Sequence, residues 1–248
     1  MDIVFMDTTA QADKFLAKEQ KKNKISQICA GKKVLSSTYV LGEFKANFLK
    51  DATTLYNLVY DSKNLGEALK RLEETYSNRI TKRMCKLFGN IIKDVDDAND
   101  KEGVLDRLEI YIDDILVKRF KKGLDRILID KTECLRSLAI PRKENNLWIL
   151  SVGCTQKPKP QCRIEPFLLK EKIDELQKIE DLPQEMSKVE NIVQLICKEE
   201  KKPFGNNCRT LGDVIIILES PVNSNILTSN IKDFKPICQC LNKDLTGY

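Results

Sequence analysis

Four consecutive apolar residues, Ile3-Val4-Phe5-Met6, run straight into Asp7-Thr8-Thr9. A strand with no polar face cannot border water, so it belongs at the centre of a parallel sheet covered on both sides. Residues 10–29 then read as a helix, with Phe15, Leu16, Ile25 and Ile28 among lysines and Gly31 as its stop. Val34-Leu35-Ser36 reads as a second strand, and Ser37-Thr38 can cap a helix from Tyr39 to about Tyr60. Strand, helix, strand and helix in this order predict an α/β fold built on a parallel sheet.

From about Asp61 to Leu138 the period changes. Leu65, Leu69, Leu72, Tyr76, Ile80 and Met84 recur at helical spacing, as do Val104, Leu108, Ile112, Ile115, Leu116 and Phe120. The acidic stretch Asp94–Asp100 between them reads as the loop of an αα-hairpin. Its residues are out of register for an EF-hand, which needs a central glycine and a terminal glutamate. The expected organisation is therefore an α/β domain from residues 1–60 and 141–248, with 61–140 as a helical insertion. Further along, a third strand is expected at Leu147–Val152, a proline-containing loop at Gly153–Arg163, and helices over 165–180 and 186–200. A helix at about Leu211–Glu219, a strand at Asn225–Thr228 and an edge strand at Pro236–Leu241 complete the reading.

The chain has no histidine among its 248 residues. That removes Ser-His-Asp and Cys-His catalysis, histidine general bases and histidine-ligated metals together. Nine cysteines contain no C-x-x-C pair, and their odd number favours reduced thiols over disulfides or zinc. Any hydrolytic chemistry must rest on carboxylates, lysines or a carboxylate-bound metal. The net charge of +5 is compatible with a polyanionic partner, and basic residues cluster at 21–24, 82–86 and 118–122. Without a basic leader or a long apolar run, the chain reads as an intracellular, cytoplasmic protein with no membrane association.

Three acids stand where an open parallel sheet places its ligands, beyond the carboxyl ends of strands. Asp7 ends the first strand, Glu43 lies in the first turns of the helix after the second, and Asp213 opens the helix before the last apolar strand. Each has a plainer role available. Asp7 can cap the next helix, Glu43 can face solvent, and Asp213 can close a capping box begun at Thr210. Convergence of all three at one sheet edge favours function. Magnesium and manganese are hard cations that prefer such oxygen donors.

Asp213–Glu219 followed by Ile226-Leu227-Thr228-Ser229-Asn230-Ile231-Lys232-Asp233-Phe234 resembles the C-terminal half of a PIN domain. Val4–Thr8 resembles that family's first strand with its aspartate, and Ser36–Phe44 the stretch carrying its glutamate. The resemblance covers residues 1–60 and 205–241. It implies a PIN-like α/β/α sandwich whose acidic quartet is Asp7, Glu43, Asp213 and Asp233, supported by Thr228 and Asn230. It also implies a Mg2+- or Mn2+-dependent nuclease acting on RNA. The interval between Glu43 and Asp213 is much longer than in compact family members, so the helical insertion is a departure that could serve a protein partner or inhibitor. A catalytically inactive PIN-like module binding RNA or protein is the alternative. A P-loop nucleotide binder is disfavoured, because Gly31-Lys32-Lys33 lacks the flanking residues of a Walker motif. A purely helical adaptor would ignore the strand-like segments at both ends.

Overall fold

The computed structural model describes residues 2–95, 100–153 and 161–248. Contacts divide the chain into one unit of Met1–Glu43, Gly123–Ser137 and Gly153–Tyr248 and another of Phe44–Lys122 and Leu138–Val152. The strands are β1 (Ile3–Met6), β2 (Lys33–Ser37), β3 (Arg126–Leu128), β4 (Arg142–Glu144), β5 (Leu147–Ile149), β6 (Ser224–Thr228) and β7 (Asp244–Gly247).

In the first unit five strands form one parallel sheet in the order β3-β2-β1-β6-β7, flanked by helices. β1 pairs with β2 on one side and β6 on the other, with Phe5 opposite Leu35 and Ile226. Its central position matches its composition: Val4, Phe5 and Met6 are all buried. Each such side chain contributes roughly 1.5–3 kcal/mol. β3 and β7 lie at the edges and are more exposed and more polar. Short polar edges limit unwanted pairing with other chains.

Three expectations are corrected here. The helix expected over 10–29 is two, α1 (Thr8–Leu16) and α2 (Glu19–Cys29), because Ala17 and Lys18 are extended. Residues 236–241 are not a strand but the end of a helix, Ile231–Cys240. Phe234, Ile237 and Cys238 form its buried stripe at helical spacing, and this packing outweighs Pro236. Leu147–Ile149 does not join the parallel sheet. It pairs antiparallel with Arg142–Glu144 across Asn145-Asn146, both with positive φ (50° and 63°). Two left-handed residues of this kind make the tight turn that matches strand twist. The sheet's third strand is instead Arg126–Leu128, inside the stretch expected to be helical.

The second unit packs the helices Lys50–Tyr60, Leu65–Thr75, Asn78–Ile91 and Lys101–Ile110 around Leu55, Leu72, Leu87 and Leu108. Asn57 clamps the β4–β5 hairpin by exchanging two 2.9 Å hydrogen bonds with the Trp148 backbone. The loops expected at 94–100 and 153–163 fall largely on residues 96–99 and 154–160, which lie outside the described residues. Among the described residues no helix is long and apolar enough to cross a membrane.

Candidate active site

The strand order makes a switch point between β1 and β6, since the chain builds the sheet outward from β1 to one side and from β6 to the other. In open parallel sheets a crevice opens there, outside the carboxyl ends of the strands. Asp7 follows the last residue of β1, and Thr228 is the last residue of β6. Thr228 Oγ1 donates to Asp7 Oδ2 at 2.7 Å. Thr9 Oγ1 donates to the same carboxylate at 2.9–3.0 Å, and the Ala10 amide donates to Oδ1 at 2.7 Å. Asp7 therefore caps α1, as its plainer reading held, and its carboxylate is also braced by two threonines. Burial pushes its carboxyl up to about 6, against the hydrogen bonds from Ala10, Thr228 and Thr9.

Glu43 reaches the same edge from the helix Thr38–Phe44, where Thr8 Oγ1 donates to its Oε2 at 2.7 Å. Its Oε1 lies where a Cβ on Gly212 would stand, 2.5 Å away. Only glycine lets this carboxylate approach the start of the helix Gly212–Glu219, whose positive end favours an anion. Burial raises the Glu43 carboxyl, while Arg136 and the Thr8 hydroxyl lower it.

Asp213 is the next residue along. Asn230 Nδ2 donates to its Oδ2 at 3.3 Å, and the Asn230 amide donates to Thr228 Oγ1 at 2.9 Å. The capping box is not formed, because Thr210 Oγ1 donates to the Asn206 carbonyl instead. Asp7, Thr228, Asn230 and Asp213 thus make one hydrogen-bonded chain, with Glu43 joined through Thr8. Asp233 faces a pocket of about 250 Å³ that it lines together with Asp213, Glu185, Lys188 and Thr210. Neither Asp7 nor Glu43 lines that pocket.

The donors are carboxylate, hydroxyl and amide oxygens, which suit a hard cation in kind. Among the described residues no three acidic or thiol side chains stand close enough to form a ready metal cage. Magnesium does not require one, since it keeps several waters and binds through one or two carboxylates. Asp7 and Asp213 are the two carboxylates linked here through Thr228 and Asn230.

Several polar residues escaped the sequence reading. Asp13 accepts from Lys21, Ser229 and Tyr248, tying the loop after β6 to α1. Asp130 accepts from Thr38 and Thr132 beyond β3, and Ser37 donates to Glu219 at 3.3 Å. Arg136 lies by Tyr39 and Glu43. The threonines that follow Asp7 were the available signal for its bracing; Arg136 had none, because it is brought in by an unread edge strand.

Burial and the neighbouring Asp130 push Glu219 up from 4.5 to about 8, so it carries a proton at neutral pH. A carboxyl that holds its proton more tightly when folded stabilises the fold at low pH. That stabilisation declines as pH rises above 4.5 and is gone once pH has passed through about 8. Glu219→Gln stays neutral, so its melting temperature should fall less than that of wild type as pH rises from 4.5 to about 8. Parallel melting curves for the two proteins would show that Glu219 does not titrate in the fold.

No family model, no curated protein and no solved structure matches this chain.

Proposed function

We propose that this chain is a divalent-metal-dependent endoribonuclease with a PIN-like arrangement of acids. The observation that carries the reading is the linkage of Asp7, Glu43 and Asp213 through Thr8, Thr228 and Asn230 at the β1–β6 switch point. A parallel sheet flanked by helices is compatible with the α/β/α sandwich of that class.

In this reading Asp7 and Asp213 would hold a hydrated Mg2+ or Mn2+ ion. Such an ion supplies a Lewis acid for the scissile phosphate and a source of hydroxide at neutral pH. The chain's own residues do the positioning. Thr228 and Thr9 fix the Asp7 carboxylate, and Asn230 fixes that of Asp213. In the same reading Glu43 would accept a proton from an attacking water. Asp233 acts from the pocket side through water. Lys24, exposed on α2, supplies a phosphate contact without sequence readout.

One observation favours a second reading. Both Asp7 oxygens already accept hydrogen bonds and, among the described residues, no three acids form a cage, as a non-catalytic module binding RNA or a protein would allow. Incubation of the purified chain with a mixed RNA pool and Mn2+ or Mg2+ separates the two. The nuclease reading expects fragments that disappear with chelator and with Asp213→Asn. RNA and single-stranded DNA left intact with both ions would replace it with the second reading.

A further inference from the structure

The pocket beside Asp213 has an apolar floor, since Met186, Val214 and Ile237 line it and all three are buried. They come from three elements, the turn Gln184–Met186 and the helices Gly212–Glu219 and Ile231–Cys240. Asp233 lies four residues before Ile237 on the last of these, so the two share the helix face turned to the pocket. Of the three carboxylates in the lining, Asp213 accepts from Asn230 at 3.3 Å, and Glu185 faces Lys232 at 3.5 Å. The Asp233 carboxylate has no partner among the described residues. Lys188 is exposed at the rim, and Lys232 stands there beside Glu185. At about 250 Å³ the space is smaller than the clefts of roughly 300–1,000 Å³ that enclose drug-sized ligands, and it suits a single ring system.

We propose that this pocket is a nucleobase subsite that selects guanine, with Asp233 as the group that reads the base. This deepens the reading above and rests on RNA being the ligand. The flat apolar face of a base matches the floor of Met186, Val214 and Ile237. An ionised carboxylate can only accept hydrogen bonds. Among the four RNA bases only guanine offers two adjacent donors, N1–H and the N2 amino group, and these meet both carboxylate oxygens at once. Adenine and cytosine set a ring acceptor beside their amino group, and uracil flanks its one N–H with two carbonyls. Each of them would bring a lone pair against Asp233. A guanine seated here displaces the water through which Asp233 otherwise acts. The rim lysines favour the phosphate of the same nucleotide and oppose a cationic protein side chain as the occupant. Asp213 belongs both to the pocket and to the chain of linked acids, so a base held here lies next to the candidate site.

The test is calorimetric titration of the full chain with GMP, AMP, CMP and UMP in EDTA, so that no metal contributes. GMP should bind at least about tenfold more tightly than the other three, as a bidentate contact to one base gives. IMP, which lacks the N2 amino group, should lose most of that preference, a result that needs no variant to fold. Asp233→Asn should bind all four nucleotides alike, and Val189→Trp, which fills the pocket from its partly exposed wall, should bind none. Equal affinity for the four in wild type, or a GMP preference that survives Asp233→Asn, would overturn the inference. Metal-dependent cleavage of RNA by the same protein would then leave the nuclease reading standing. A GMP preference in a chain that cuts no RNA would keep the inference and sink the nuclease reading instead. Tighter binding of arginine amide than of GMP would give the pocket to a cationic protein side chain and overturn the inference.

Discussion

Asp7→Asn should cut metal-dependent RNA cleavage by at least about a hundredfold, equivalent to about 2.7 kcal/mol of transition-state stabilisation. It should leave the fold nearly as stable as before. The two effects separate because the proposed site gives Asp7 a second job beside its helix cap. As the cap of α1 it accepts from the Ala10 amide, and asparagine caps helices as well as aspartate does. Its remaining partners are the hydroxyls of Thr9 and Thr228, which can rotate to accept from an amide. As a cation ligand, by contrast, the neutral amide loses the charge that holds the ion. The raised carboxyl adds a pH signature: below about 6 protons compete with metal, so the apparent Mn2+ affinity of wild type should fall there. Single-turnover cleavage and thermal melting of wild type and Asp7→Asn check both halves. A variant that melts normally and cleaves at the wild-type rate would reduce Asp7 to a helix cap.

Arg83→Ala should destabilise the second unit by about 3–5 kcal/mol. Arg83 grips Asp51 with two charge-assisted hydrogen bonds, Nε to Oδ2 at 2.5 Å and Nη2 to Oδ1 at 2.9 Å. It also donates to Asn47 and lies over the Phe48 ring. Asp51 is only 6% exposed, so removal of the guanidinium strands a carboxylate in the core. Burial already raises that carboxyl, against the pull of Arg83. Removing both charges should cost less than removing one. Urea denaturation of Arg83→Ala, Asp51→Leu and the double Asp51→Leu/Arg83→Leu variant measures this. A loss below about 1 kcal/mol in Arg83→Ala would place the pair with weak surface bridges.

The central strands were legible in the sequence because burial on both faces writes itself as an apolar run. Ile3–Met6 and Asn225–Thr228 are the clear cases. The edge strands Arg126–Leu128 and Asp244–Gly247 were not, because an edge needs neither an apolar run nor alternation. What fixes Arg126–Leu128 is long-range: the Asp125 carboxylate accepts from the Val34 amide at 2.6 Å, 91 residues away. Asn145-Asn146 did carry the hairpin signal, and it was obscured by the apolar appearance of Leu147-Trp148-Ile149. At the site, the positions of Asp7, Glu43 and Asp213 followed from strand ends and helix starts. Their bracing by Thr8, Thr228 and Asn230 is legible only once the strand order is known. Arg136 and Glu219 depend on β3 and on packing between distant segments, so local pattern could not place them.

The most direct test of the central claim is the position of a Mn2+ ion in crystals of this chain, located by its anomalous scattering. A cation site at the switch point predicts a peak between the carboxylates of Asp7 and Asp213, beyond the ends of β1 and β6, that is lost in Asp7→Asn. A fully soaked crystal with no peak there, or with Mn2+ only at exposed surface acids, would contradict it.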